Sequence, residues 1–189
     1  MKTYRLSPAG QRGAIVLLVG ALVIWAFALW TFRATLGISY NPLAFWPSLR
    51  QQIAAGLSVG QIVPALLMLV LIVATPLVIW NILEEWAAAY LPADDGLHFS
   101  SLGLSLTYPW DAIAGIRRRD ADADEPLDEL LLKHDYTGQI RNPLLRFLHA
   151  QAYGRTSLPI YAGLAERDEL LAEIRQRSGI DGSAEPHSA

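Results

Sequence analysis

Residues 62–83 read IVPALLMLVLIVATPLVIWNIL, and no Asp, Glu, Lys or Arg lies between Arg50 and Glu84. Leu, Ile and Val each favour insertion at a helix centre by a few tenths of a kcal/mol, whereas one central charge costs about 2.5–3.5 kcal/mol. The stretch therefore predicts a membrane-spanning helix. Toward the N-terminus, GAIVLLVGALVIWAFALWTF at Gly13–Phe32 is a second uncharged block, bounded by Arg12 and Arg33. At about 1.5 Å per residue, about 20 residues reach ~30 Å, the hydrocarbon thickness. A cleaved signal peptide is the competing reading of this first block, because Lys2, Arg5 and Arg12 precede it as a basic n-region would. The run is long for an h-region, and Trp25, Trp30 and Phe32 stand where small residues should mark cleavage.

Local chemistry refines the two spans. Pro64 falls in the first turn of the second helix, where a missing N–H costs little, whereas Pro76 is interior and predicts a kink near residues 72–75. Glu84 and Glu85 would meet the negative end of the macrodipole if the helix stopped there. The expectation is thus a helix continuing as a stalk to about Tyr90, ended by Pro92, with Trp86 at headgroup level. Small residues in the first span, Gly20, Ala21, Ala26 and Ala28, allow close helix packing. The N-terminal segment carries Lys2, Arg5 and Arg12 against Arg33 and Arg50 in the connecting loop, so both termini are expected on the cytoplasmic side. That loop places Tyr40, Phe45 and Trp46 beside Pro42 and Pro47, which suits a segment along the outer interface or a ligand pocket there.

Beyond Pro92 the pattern changes to short alternating runs. Asp95-Gly96 signals a tight turn, and Leu97, Phe99, Leu104, Leu106 and Tyr108 predict a hairpin or two successive strands. Ile113 and Ile116 point to a core, with Arg117, Arg118 and Arg119 leading out to solvent. Residues 127–133 and 157–161 read as further strands. Between them Asn142 can cap a helix with Pro143 in its first position and Leu144, Leu145 and Leu148 on one side. That helix either covers the sheet or, with Arg141, Arg146, Phe147, Tyr153 and Arg155, meets a membrane surface or partner. From about Leu164 to Ser178, Leu164, Leu170, Leu171 and Ile174 recur at helical spacing, Glu173 and Arg177 stand four apart, and Gly179 can end the helix. Residues 180–189 are polar and expected to be disordered.

The 189 residues carry a net charge of −3, too little positive charge for a nucleic-acid binder. With no cysteine, disulfides and thiolate chemistry are excluded. His98, His134, His149 and His187 show no metal-ligand spacing, and no nucleophile elbow, Walker loop or dinucleotide glycine pattern is present. DADADE at 120–125 begins like a calcium loop, but Glu125 replaces the turn glycine and Leu131 falls at the bidentate position. A solvated acidic loop beside Arg117–Arg119 is the expectation, and those arginines could also attract anionic headgroups.

Three stretches, DDGLHF at Asp94–Phe99, YPWDAI at Tyr108–Ile113 and DELLAEIRQR at Asp168–Arg177, make residues 87–178 resemble the bacterial pleckstrin-homology-like (bPH) domain proteins, many of which carry two membrane helices. The resemblance implies a strongly bent antiparallel sheet of about seven strands closed by the C-terminal helix, with Trp110 and Ile113 as core or corner residues, used for binding and not catalysis. Residues 142–153 depart from a plain strand connection in that scheme. The expected fold class is therefore α+β: a two-helix transmembrane hairpin plus a PH-like β-domain. The expected segments are an N-terminal cytoplasmic segment (1–12), a first span (13–33), an interfacial loop (34–60), a second span with stalk (61–90), the domain (91–179) and a tail (180–189). The expected role is a non-enzymatic scaffold or adaptor at the bacterial inner membrane, binding a protein partner or its own copies. The alternatives are an accessory subunit of a larger membrane complex and an anionic-lipid-binding module. No cofactor, metal, nucleic acid or small-molecule substrate is expected. The candidate contact residues are Arg117, Arg118, Arg119, Arg141, Arg146, Phe147, Tyr153 and Arg155, together with the sheet edges.

Overall fold

The computed structural model describes residues 2–56, 58–119 and 127–180. The acidic run 120–125 and the tail from 181 lie outside them. Among the described residues the chain is α+β, with five α-helices and seven strands in two antiparallel sheets. It divides into two compact units, residues 1–15 with 81–189, and residues 16–80.

The unit formed by residues 16–80 holds most of two long helices, α1 (Pro8–Leu36) and α3 (Val59–Trp86), and a shorter one, α2 (Pro42–Ala55). Both long helices are long and apolar enough to cross a membrane, and only 11% of the most apolar window of each is buried. A soluble core helix would be mostly covered. On α1 the covered positions include Ala14, Ala21 and Ala28, seven residues apart, a seam of small side chains. Gly20 and Ala26 are exposed. The loop expected between the spans contains α2, capped by the Asn41 side chain accepting from the Leu43 N–H at 3.1 Å. Leu43, Trp46 and Ile53 are exposed on it, while Phe45 and Leu49 pack with Phe32 against Leu36, Ile38 and Ala65.

Pro76 cannot donate to the carbonyl four residues before it, that of Ile72. The Trp25 indole N–H donates to this carbonyl at 3.1 Å, so a side chain of α1 supplies the bond that proline withholds. Trp25→Phe is expected to weaken the pairing of the two helices by about 0.6–1.7 kcal/mol, the range for interhelical hydrogen bonds in membranes. In a Pro76→Ala background, where the Ile72 carbonyl regains its own N–H, the same change should cost much less. A double-mutant cycle of unfolding in lipid bicelles measures the difference.

The other unit is built on two sheets. The first has the order β1 (Tyr4–Arg5), β2 (Ala89–Ala93), β3 (Gly96–Ser101), β4 (Leu104–Tyr108), and the second β5 (Ile113–Arg119), β6 (Leu127–Leu132), β7 (Ser157–Ile160). β3 and β4 form the expected hairpin, and the turn expected at Asp95-Gly96 joins β3 to a preceding strand, β2, with Ala93 paired to Gly96. Gly96 has φ 150°, and a Cβ there would lie 2.3 Å from the Tyr108 carbonyl oxygen. That position requires glycine. A 3-10 turn at Trp110–Ala112 leads into β5, and Trp110 donates its indole N–H to the Ala93 carbonyl at 3.0 Å. The core collects Tyr90, Leu97, Phe99, Leu106, Tyr108, Ile113, Leu130, Leu158, Ile160, Leu170 and Ile174. The last two belong to α5 (Arg167–Ser178), which Gly179 ends in the left-handed conformation and which carries the Glu173–Arg177 pair at 2.8 Å.

Two expectations are corrected here. α3 stops at Trp86 and does not continue as a stalk to Tyr90, because Ala89–Ala93 is recruited as a strand between β1 and β3. Pro92 lies beyond the two residues of β2 that β1 pairs, where the strand is an edge and tolerates a missing donor. The N-terminal segment, expected to stand apart from the domain, is part of its sheet. Tyr4 pairs with Tyr90 and Arg5 with Ala89. Leu6 bridges Leu164, and the Ser7 N–H donates to the Gly163 carbonyl at 2.9 Å. The chain passes so close here that a Cβ on Gly10 would meet the Gly163 oxygen at 2.7 Å.

Candidate functional site

The three consecutive arginines of β5 are not free in solvent. Arg117 and Arg119 project from one face and both donate to Glu129, at 2.5 and 2.9 Å. Arg118 projects from the other and donates to Asp128 at 3.1 Å, where Arg167 of α5 adds a bond of 2.6 Å. The alternation follows from the period of two along a strand. The two carboxylates are 1–2% exposed, and the three β5 arginine side chains about half exposed. Burial would push the Glu129 carboxyl up, but the hydrogen bonds from Arg117 and Arg119 outweigh it and hold it below the ordinary carboxylate range.

A group with a depressed pKa in the folded chain stabilises it at neutral pH and loses that contribution as pH falls through the folded value. Arg117→Gln with Arg119→Gln should therefore raise the pH of the acid transition of this unit. The near-ultraviolet signal of its tyrosines between pH 6 and pH 2 reads the shift.

The sheet edges are also occupied in part. The Gln139 side chain accepts from the Thr107 N–H and donates to the Thr107 carbonyl, both at 2.9 Å, so one amide imitates a neighbouring strand on β4. β5, the outer strand of the second sheet, carries the arginine run, the usual protection of an edge.

A buried carboxylate–imidazole pair lies where α3 enters the domain. Glu84 is 0% exposed and His149 1%, and the imidazole Nδ1 stands 2.5 Å from the Glu84 carboxylate. The Ser101 hydroxyl donates to the Glu84 carbonyl at 2.6 Å. Around His149 stand the Phe99 and Tyr153 rings, with centroids at 6.0 and 6.1 Å. Tyr161 donates to the Tyr153 hydroxyl at 3.0 Å, and the Tyr90 hydroxyl to the Pro159 carbonyl at 2.6 Å. Burial pushes the phenols of Tyr90, Tyr153 and Tyr161 upward, so all three remain neutral. Neither Glu84 nor His149 stands out in the sequence as a pair, being 65 residues apart. The available signal was local: His149 shares an inward stripe with Leu145 and Ala152.

His149 belongs to α4 (Pro143–Tyr153), formed as its cap predicts, with Asn142 accepting from the Leu144 and Leu145 N–H groups. Tyr153 turns inward to Tyr161. Phe147 turns outward, 58% exposed, beside Leu144 at 61%. Arg146 donates twice to the Ile140 carbonyl, at 2.7 and 3.1 Å. Arg141 and Arg155 are exposed at either end of the helix. The candidate contact residues thus fall into a carboxylate-paired set on β5 and a set on α4 and at its ends, with Tyr153 half-buried and turned inward. The chain matches no family model, no curated protein and no solved structure.

Proposed function

We propose that the chain is a membrane-anchored binding module without enzymatic activity: a scaffold or adaptor that holds a PH-like domain at the cytoplasmic face and binds a protein partner or further copies of itself. The observation that carries this reading is the pairing of β1 with β2. β1 precedes α1 and β2 follows α3, so a chain that leaves the domain through one apolar helix returns to it through the other. Two crossings bring both ends to one side of a bilayer, and the basic residues Lys2, Arg5 and Arg12 favour the cytoplasmic side. Seven strands in antiparallel sheets followed by α5 support the PH-like reading, with the difference that one strand comes from the N-terminus and the strands form two sheets.

Native mass spectrometry of the chain released in mild detergent tests the role. A dimer or ring supports the scaffold. Stoichiometric foreign subunits point to an accessory subunit of a larger complex, and a bound cofactor or turnover overturns the non-enzymatic reading. Tags at the two ends that proved accessible from opposite faces of sealed vesicles would remove the hairpin itself.

A further inference from the structure

Outside α1, α3 and the segment joining them, three large apolar side chains among the described residues are exposed: Leu102, Leu144 and Phe147. They lie on two elements, the β3–β4 turn and α4. Both elements are hydrogen-bonded to the same residue, Ser101 to the Glu84 carbonyl and His149 to the Glu84 carboxylate. Glu84 is the first charged residue after the uncharged run that begins beyond Arg50. It therefore marks the level at which α3 leaves hydrocarbon, and the turn and α4 are tied to that level.

Charge follows the same division. From Tyr136 to Ala165 the chain has no Asp or Glu but has Arg141, Arg146 and Arg155. Asp135 lies next to Arg146 and Arg155, and its oxygen is already taken by the Thr137 N–H and hydroxyl at 2.7 and 2.6 Å. The segment's three arginines and lack of carboxylates leave it positive in a chain that is negative as a whole. An apolar stripe flanked by arginines is the chemistry of a helix lying in an anionic membrane interface, its apolar face in the acyl boundary and its cations among headgroups.

We propose that Leu102, Leu144 and Phe147, flanked by Arg141 and Arg155, form a platform that rests on the anionic lipid surface around the emerging end of α3. The platform would fix the domain against the bilayer and leave the rest of its surface for partners. This rests on the membrane reading above. The chain has no cysteine, so nitroxide labels at Leu102→Cys, Leu144→Cys and Phe147→Cys in full-length protein can be compared in vesicles of phosphatidylcholine with and without phosphatidylglycerol. Val19→Cys and Val70→Cys report the spans, and Gln176→Cys on α5 reports water.

With phosphatidylglycerol, labels at 102, 144 and 147 are expected to be accessible to oxygen and shielded from an aqueous nickel chelate, with label 176 open to nickel. Shielding should fall severalfold in phosphatidylcholine alone and on Arg141→Glu, since each interfacial arginine contributes up to about fivefold before screening. Three outcomes overturn the proposal. Nickel accessibility at 147 equal to that at 176, with 19 and 70 in lipid, removes the platform and keeps the anchor. Exclusion of both oxygen and nickel at 147 would assign the patch to a protein contact. Shielding indifferent to phosphatidylglycerol would remove its anionic character. Labels 19 and 70 open to nickel would instead show that the membrane reading itself fails.

Discussion

Glu84→Ala is expected to cost the domain about 1–3 kcal/mol, the penalty for leaving a buried hydrogen-bonding group, here the His149 imidazole, without its partner. Glu84 and His149 are both essentially without solvent contact, 2.5 Å apart. At about 1.4 kcal/mol per tenfold, amide exchange in β2 and β3 should accelerate by roughly one to two orders of magnitude in detergent-solubilised full-length protein. His149→Ala should do comparable damage from the other side. The double replacement Glu84→Met with His149→Phe should lose much less than the sum of the single ones, because a buried pair exchanged for apolar groups of similar volume is often near neutral. Additive costs in that cycle would mean that the two side chains act independently, and the link between α3 and α4 would have to be sought elsewhere.

The second large effect belongs to the N-terminal strand. Tyr4 and Leu6 are 2% and 4% exposed, and the Tyr4 hydroxyl donates to Glu169 and Glu173 of α5 at 3.1 and 3.2 Å. Burial and those carboxylates push the phenol up to about 12. Leu6→Ala should destabilise the domain by about 2–5 kcal/mol, and loss of the Tyr4 ring by about 3–5 kcal/mol, as large-to-small core changes do. Deleting residues 2–7 removes both side chains and the β1 ladder, and exposes the outer edge of β2. Faster exchange throughout β2 and α5, with α1 still protected, is the expected result. Unchanged protection in β2 would mean that the domain holds together without its first strand, and the observation carrying the proposed hairpin would lose its weight. Cleavage after the first apolar block, the signal-peptide alternative, would strip the same strand.

The sequence and the tertiary structure divided the work along physical lines. The apolar helices were legible because the cost of a charge in hydrocarbon is counted residue by residue, and its absence from two blocks needs no knowledge of neighbours. Turn and cap chemistry is equally local: the Asp95-Gly96 turn, the Asn142-Pro143 start of α4 and the Gly179 stop of α5 each depend on a few adjacent dihedrals. The end of α3 was misjudged for a non-local reason. Glu84 is unfavourable at a helix C-terminus only while it lacks a partner, and its partner is an imidazole 65 residues away. The role of Arg117–Arg119 turned on register, which sets Glu129 between two of them and Asp128 across from the third. The place of Tyr4 turned on a pairing with Tyr90 across both apolar helices. Composition and short spacing determined which segments are long apolar helices and where the chain turns. Which buried carboxylate meets which cation, and which end of the chain completes the sheet, was decided only when distant segments were brought to within 3 Å, a distance at which hydrogen bonds and desolvation outweigh local preference.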